Sequence, residues 1–195
     1  SGGVLKTAGT SGNRRMHLGW DNATNKGTMN LSGTAQVTVN ADNVSGSSTG
    51  FMLGYNGAGT LTVADSAQLT INAVGDANGG LVVAWNGGTS SVTQTGGQIR
   101  LNDNYVMLGR DNAAQGTLTV NGGTFTQGGS AGDRNTYMGW GGAAAKGYLN
   151  VGGTGVVTLA ANLNAAYNGT AAITLSGGGQ LTVPGVVQMA FQNSS

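Results

Sequence analysis

The sequence predicts an all-β chain, wound as a right-handed parallel β-helix of about six to seven coils with three short strands per coil, forming one β-solenoid domain over residues 1-195. Composition, the scarcity of helix formers and an internal repeat predict it. Glycine supplies 38 of the 195 residues and proline one, where glycine ordinarily makes up about 7% of a chain. A hydrophobic share of 38%, set out in regular alternation, separates this chain from disordered low-complexity sequence. Lys and Arg together number 8, all 7 acidic residues are Asp, and Glu is absent. A chain rich in Thr, Asn, Ser and Gly and poor in Glu and Lys favours strand and turn over helix.

The repeat opens on a small-aromatic-polar element. Gly19-Trp20-Asp21, Gly54-Tyr55-Asn56, Ala84-Trp85-Asn86, Gly109-Arg110-Asp111, Gly139-Trp140-Gly141, Ala166-Tyr167-Asn168 and Ala190-Phe191-Gln192 are seven copies, 24 to 35 residues apart. A first strand leads into each copy. The second strand follows, with polar and apolar residues alternating, as in Thr60-Leu61-Thr62-Val63 and Thr117-Leu118-Thr119-Val120. That is the period of a half-buried strand. A short turn such as Gly122-Gly123 comes next, and then a third strand in the same pattern, as in Gln68-Leu69-Thr70-Ile71.

A unit this small buries its apolar face only against copies of itself, which describes a solenoid. Blades of a β-propeller take about 40 to 45 residues, and hairpins would require two-residue turns of the Asn-Gly kind at every junction. The right-handed crossover preference of parallel strands sets the expected hand. Stacked coils turn sequence columns into ladders about 4.8 Å apart. The second strands contribute Met29, Leu61, Val92, Leu118, Leu149 and Ile173 to the interior, and the third strands Leu5, Val37, Leu69, Ile99, Phe125, Val157 and Leu181. Leu18, Leu53, Val83, Leu108, Met138, Ala165 and Met189 supply the remaining wall. Length variation falls at the corner from third strand to next first strand, longest over residues 41–50.

A net charge of +1 provides no basic face for nucleic acid and no charge to hold an anionic membrane. No stretch approaches the ~18 apolar residues of a membrane-spanning helix. Without Cys there is no thiolate nucleophile, disulfide framework or Cys-based zinc site. His17 is the sole imidazole and reads as a surface or corner residue. Asp21 and Asp111 share a column but lie three repeats apart, about 14 Å at one strand spacing per repeat, too far for a paired-carboxylate reaction. The loop Gly75-Asp76-Ala77-Asn78-Gly79-Gly80 has oxygen donors, but it lacks the Asp-bearing nonapeptide of calcium-binding β-rolls. No metal, cofactor or catalytic residue is expected.

The most distinctive column is Trp20, Tyr55, Trp85, Arg110, Trp140, Tyr167 and Phe191. Stacked aromatics with one Arg among them suit ring stacking and cation-π contact. Exposed, they would form a strip for sugar rings or another subunit; buried, they would stabilise the coil. Simple alternation through Leu18-Gly19-Trp20 places them on the Leu18 side, while Arg110 argues for solvent. Asn40, Asn72 and Asn102 close successive third strands and are expected to form an internal amide ladder. The sequons at Asn22, Asn43, Asn168 and Asn193 are those expected by chance in this composition.

The run Gly116-Thr117-Leu118-Thr119-Val120-Asn121-Gly122-Gly123-Thr124, echoed at residues 59–63 and 173–178, resembles the autotransporter-associated β-strand repeat. The resemblance covers nearly the whole chain and implies a bacterial extracellular or cell-surface right-handed β-helix serving as stalk, passenger or adhesin. It implies no catalytic residue. Both ends are expected to be uncapped, which invites strand pairing with another chain. Gly3, Val4 and Leu5 at one end and Val187, Met189 and Phe191 at the other are the candidate end-to-end interface, between copies or along a longer chain.

The expected function is therefore a non-enzymatic structural building block of a secreted or surface fibre. A glycan-binding adhesin module using the aromatic column is the alternative. A polysaccharide-active enzyme fits less well, since no close Asp pair or Asp-Arg-Lys cluster is visible, and an ice-binding protein fits less well, since the Thr columns are interrupted at Asn30, Tyr148, Asn150 and Ala172.

Overall fold

The structure is a computed structural model that describes residues 2–7, 15–42, 50–74, 80–130 and 133–190. The described chain is all-β, a parallel β-solenoid of about five turns. First strands are β2 (Met16–Trp20), β5 (Gly50–Tyr55), β8 (Gly80–Trp85), β10 (Tyr105–Arg110), β12 (Thr136–Trp140), β15 (Leu163–Ala165) and β18 (Val187–Met189), and they form one seven-stranded sheet. The second and third segments share an eleven-stranded sheet. It contains β1 (Val4–Lys6), β3 (Lys26–Leu31), β4 (Gln36–Asp42), β6 (Ala58–Val63), β7 (Gln68–Val74), β9 (Thr89–Asn102), β11 (Gln115–Gly128), β13 (Lys146–Val151), β14 (Val156–Thr158), β16 (Thr170–Leu175) and β17 (Gln180–Thr182).

In two middle coils the second and third segments fuse into the 14-residue strands β9 and β11, which bend instead of breaking. The register between them slips around Gly122, and Gly97 and Gly123 take φ of 64° and 75° there. Glycine makes that bulge without strain.

Every paired strand is parallel, and like residues become vertical neighbours. Met29 pairs with Leu61, Leu61 with Val92, Val92 with Leu118, Leu118 with Leu149 and Leu149 with Ile173. Leu61, Leu118, Leu149, Leu69, Ile99, Phe125, Leu53, Val83 and Leu108 all belong to one buried interior cluster. Burying such side chains contributes roughly 1.5–3 kcal/mol each. Close coil-to-coil approach also decides residue size: a Cβ on Gly116 would lie 2.0 Å from the Val83 carbonyl oxygen.

Two glutamines interrupt this dry interior. Gln127 is buried and bridges four groups. Its Nε2 donates to the carbonyls of Asn104 and Arg134 at 2.9 and 3.0 Å, and its Oε1 accepts from Thr136 Oγ1 and the Ala160 amide at 3.1 and 3.3 Å. Gln94 Nε2 donates to the carbonyls of Gly97 and Thr124 at 3.1 and 3.0 Å. Both amides thus tie corner carbonyls to a buried side chain, and Gln94 Oε1 is itself buried without a hydrogen-bond partner.

Candidate functional site

The small-aromatic-polar element has a backbone cause. Gly19, Gly54, Ala84, Gly109, Gly139, Ala166 and Ala190 all take left-handed φ, between 57° and 71°. A Cβ costs roughly 1–2 kcal/mol in that conformation, which favours Gly, and the three copies that do carry a side chain there have the smallest one, Ala. One left-handed residue interrupts strand alternation. The following aromatic therefore emerges on the outer face, away from the Leu18 column, and this corrects the side assigned from simple alternation.

Two separate clusters result. The interior holds Leu53, Val83, Leu108 and Met138, while Met52, Val82, Tyr105 and Met107 pack outside with Tyr55, Trp85, Tyr137 and Trp140. Trp20 stands 38% exposed, and Tyr55, Trp85, Arg110, Trp140 and Tyr167 are half-buried. Phe191 lies outside the described residues.

The column stacks on itself. His17 and Trp20 are parallel at 4.1 Å, Trp20 and Tyr55 at 4.5 Å, and Tyr55 meets Trp85 edge-on at 5.4 Å. Arg110 lies 4.0 Å over Trp85 and 5.5 Å from the Trp140 ring, so the one non-aromatic rung is a cation between two indoles. Asp111 completes it, accepting from Trp85 Nε1 at 2.8 Å and lying 3.4 Å from Arg110 Nε. Above this rung Tyr137 packs on Trp140 at 4.6 Å, and Trp140 meets Tyr167 at 5.7 Å.

Burial shifts the titrating groups of this face. His17 is pushed down to about 4, first by burial and then by the Arg15 charge. Tyr137 rises to about 12, first by burial and then through its hydrogen bond to Asp133 Oδ2 at 2.7 Å. Burial also raises Tyr105, against the opposing pull of Arg110. Sequence reasoning missed Tyr105 and Tyr137 as neighbours of the column, and the contact of Asp111 with Trp85 and Arg110, because these depend on which face the αL residue selects.

Two amide ladders flank the sheets. Asn72 Nδ2 donates to Asn40 Oδ1 and Asn102 Nδ2 to Asn72 Oδ1, each at 2.8 Å, and Asn40 Nδ2 reaches the Thr7 carbonyl at 2.9 Å. The expected ladder exists, on the half-buried outer side of the third segment instead of inside it. Arg100 Nε closes it by donating to Asn102 Oδ1 at 2.6 Å. A second ladder, unforeseen, follows the aromatic column: Asn86 Nδ2 donates to Asn56 Oδ1 at 2.7 Å and Asn112 Nδ2 to Asn86 Oδ1. Its residues sit at φ of 60°, 54° and 47°, a conformation Asn tolerates better than most residues.

At the outermost coils the apolar columns reach solvent. Val4 and Leu5 are 78% and 46% exposed, and Val187 and Met189 50% and 55%. Gly3 is exposed beside Val4. Of the remaining candidates, Asn22 and Asn168 are exposed, and Asn22 Oδ1 accepts from the Thr24 amide at 3.1 Å. Asn43, Asn193 and residues 75–79 of the candidate calcium loop lie outside the described residues. Among the described residues no group of three or more His, Cys, Asp or Glu could hold a metal ion, and no helix is long and apolar enough to cross a membrane. No family model, no curated protein and no solved structure matches this chain.

Proposed function

We propose that the chain is a structural, non-enzymatic unit of an extracellular or cell-surface bacterial fibre or stalk, built as a right-handed β-helix of six to seven coils with three segments each and joined end to end, between copies or along a longer chain. The observation that carries this reading is the pairing of a continuous apolar interior with exposed apolar columns at both outermost coils, Leu5 at one and Met189 at the other. Unpaired strand edges over an exposed core favour addition of further strands. A heterologous contact of that kind does not close on itself and so propagates. The resemblance to autotransporter-associated repeats supports the extracellular setting. Joined between copies, concentrated purified protein should form fibres of constant diameter in electron microscopy, and monomers alone would overturn that filament form.

A glycan-binding module is the second reading, favoured by the exposure of Trp20 with Arg15 5.7 Å from its ring. Elsewhere in the column the ring faces are covered by neighbouring side chains, which leaves little for a sugar to stack on. Glycan-array binding lost on Trp85→Ala and Trp140→Ala with the fold intact would support this reading, and no binding on any glycan would remove it.

A further inference from the structure

Indole and phenol are the side-chain groups here that give up a single electron most readily, since the chain has no Cys. The fold gathers them. All three Trp and every Tyr except Tyr148 stand on the outer side of the seven-stranded sheet or directly beyond its strands, in ring contact with one another. Which ring keeps an oxidising hole is decided by protons. An oxidised phenol is a strong acid, so its radical persists only where a base already holds the departing proton.

Tyr137 has such a base. Its hydroxyl donates to Asp133 Oδ2 at 2.7 Å, a charge-assisted bond, while Asn135 Nδ2 donates to the phenol oxygen at 3.2 Å. Asp133 is itself held in place, because its Oδ1 accepts from the Asn135 amide at 2.9 Å. Around the phenol ring pack Trp140 at 4.6 Å and, edge-on, Tyr105 and Tyr167 at 6.4 Å each. The rung at Trp85 is built the other way. Trp85 Nε1 also meets a carboxylate, at Asp111 Oδ2, but that oxygen lies 3.4 Å from Arg110 Nε, and the guanidinium sits 4.0 Å over the indole. A cation there lowers the basicity of the carboxylate and opposes a positive charge on the ring. Trp140 lies 5.5 Å from the same cation. The Tyr105 phenol is buried beside that guanidinium, which accepts no proton, and Asp133 acts on it only through its charge.

We propose that Tyr137 is a one-electron redox site, at which an electron drawn from the column by a diffusible outer-sphere oxidant leaves a neutral phenoxyl radical. The balance closes locally. One electron goes to the oxidant, the Tyr137 O–H bond breaks, and the proton forms a new O–H bond on Asp133 Oδ2, so the pair loses an electron and no proton. Asn135 Nδ2 goes on donating to the phenoxyl oxygen, and reduction reverses each step. A hole first formed on Trp140 or Tyr167 reaches the site across a single ring contact, whereas the Arg110 cation stands between Trp140 and the Trp85 rung. The site lies on a single copy and does not depend on whether copies join end to end.

The test uses the full chain with photogenerated ruthenium(III) tris-bipyridine as the oxidant and pentaamminechlorocobalt(III) as the electron acceptor, frozen after a flash and read by electron paramagnetic resonance. A tyrosyl signal should appear, narrow when the tyrosines carry ring deuterium, and form more slowly in deuterated water. Tyr137→Phe keeps the ring in its packing and should abolish that signal. Tyr148→Phe, on the other sheet, should leave it unchanged. Asp133→Asn retains an acceptor oxygen but is a far weaker base, and it should cut the yield and the lifetime of the radical while the circular dichroism stays that of the parent chain. A tyrosyl signal undiminished in Tyr137→Phe, a tryptophan signal alone in the parent chain, no signal at all, or a yield and lifetime unchanged in Asp133→Asn would each overturn the inference.

Discussion

The middle coils and the outermost coils carry the same columns and have different fates. Leu118 and Val120 in β11 are 1% and 0% exposed, whereas Leu175 in β16, which continues the column of Val120 and Val151, is 56% exposed. Val37, Leu69 and Ile99 are buried in the third-segment column that leaves Leu5 at its edge 46% exposed. Burial here is a property of a coil's neighbours and not of its own sequence, as expected where each repeat contacts only the repeats beside it.

The largest expected effect tests that contrast directly. Leu118→Ala should cost about 3–4 kcal/mol in urea unfolding, from lost transfer energy and a cavity held open by coils on both sides. Leu175→Ala should cost under about 1 kcal/mol, because little area leaves water when Leu175 folds into place. Equal losses at the two positions would mean that the outermost coil is covered in solution.

Next comes Gln127→Leu, which keeps the volume but strands two carbonyls, an amide and a hydroxyl in the interior. A loss of about 2–3 kcal/mol is expected in the same measurement. A neutral result would show that this corner opens to water. Arg110→Ala removes the cation between Trp85 and Trp140 and should cost about 1–2 kcal/mol. Near-ultraviolet circular dichroism should report the altered indole packing, and Arg110→Lys should recover only part of both signals. Asn72→Ala cuts one ladder in its middle and should cost about 1 kcal/mol; an equal loss from Asn22→Ala, outside both ladders, would argue against a ladder contribution.

The last effect is confined to acid pH. His17 has its folded pKa lowered from the usual 6.5 to about 4, so between those values the unfolded chain binds the proton that the folded chain refuses. Stability from this group is therefore full above about 6.5 and declines as pH falls toward 4. Thermal melts of His17→Phe, which preserves a ring against Trp20, should lose that part of the pH dependence and keep the rest.

Much of the interior was legible because strand alternation needs only residue identity: Leu61, Leu118 and Leu149 occupy the column their spacing predicts. The aromatic column was legible as a column but not as a face. Counting through Leu18-Gly19-Trp20 assumes an unbroken strand, and the φ of 70° at Gly19 breaks it. A signal was present in the restriction of that position to Gly and Ala in every copy. The ladder of Asn56, Asn86 and Asn112 escaped notice because Asn112 sits one place beyond the repeat position of the other two.

The sequence by itself determined which residues become vertical neighbours, since a repeat with period-two alternation can bury its apolar half only by stacking. Tertiary structure alone decided which side of the wall each column occupies and which polar atoms meet. Those outcomes turn on one backbone torsion per coil and on separations of a few ångströms between coils, neither of which a string of residue types contains.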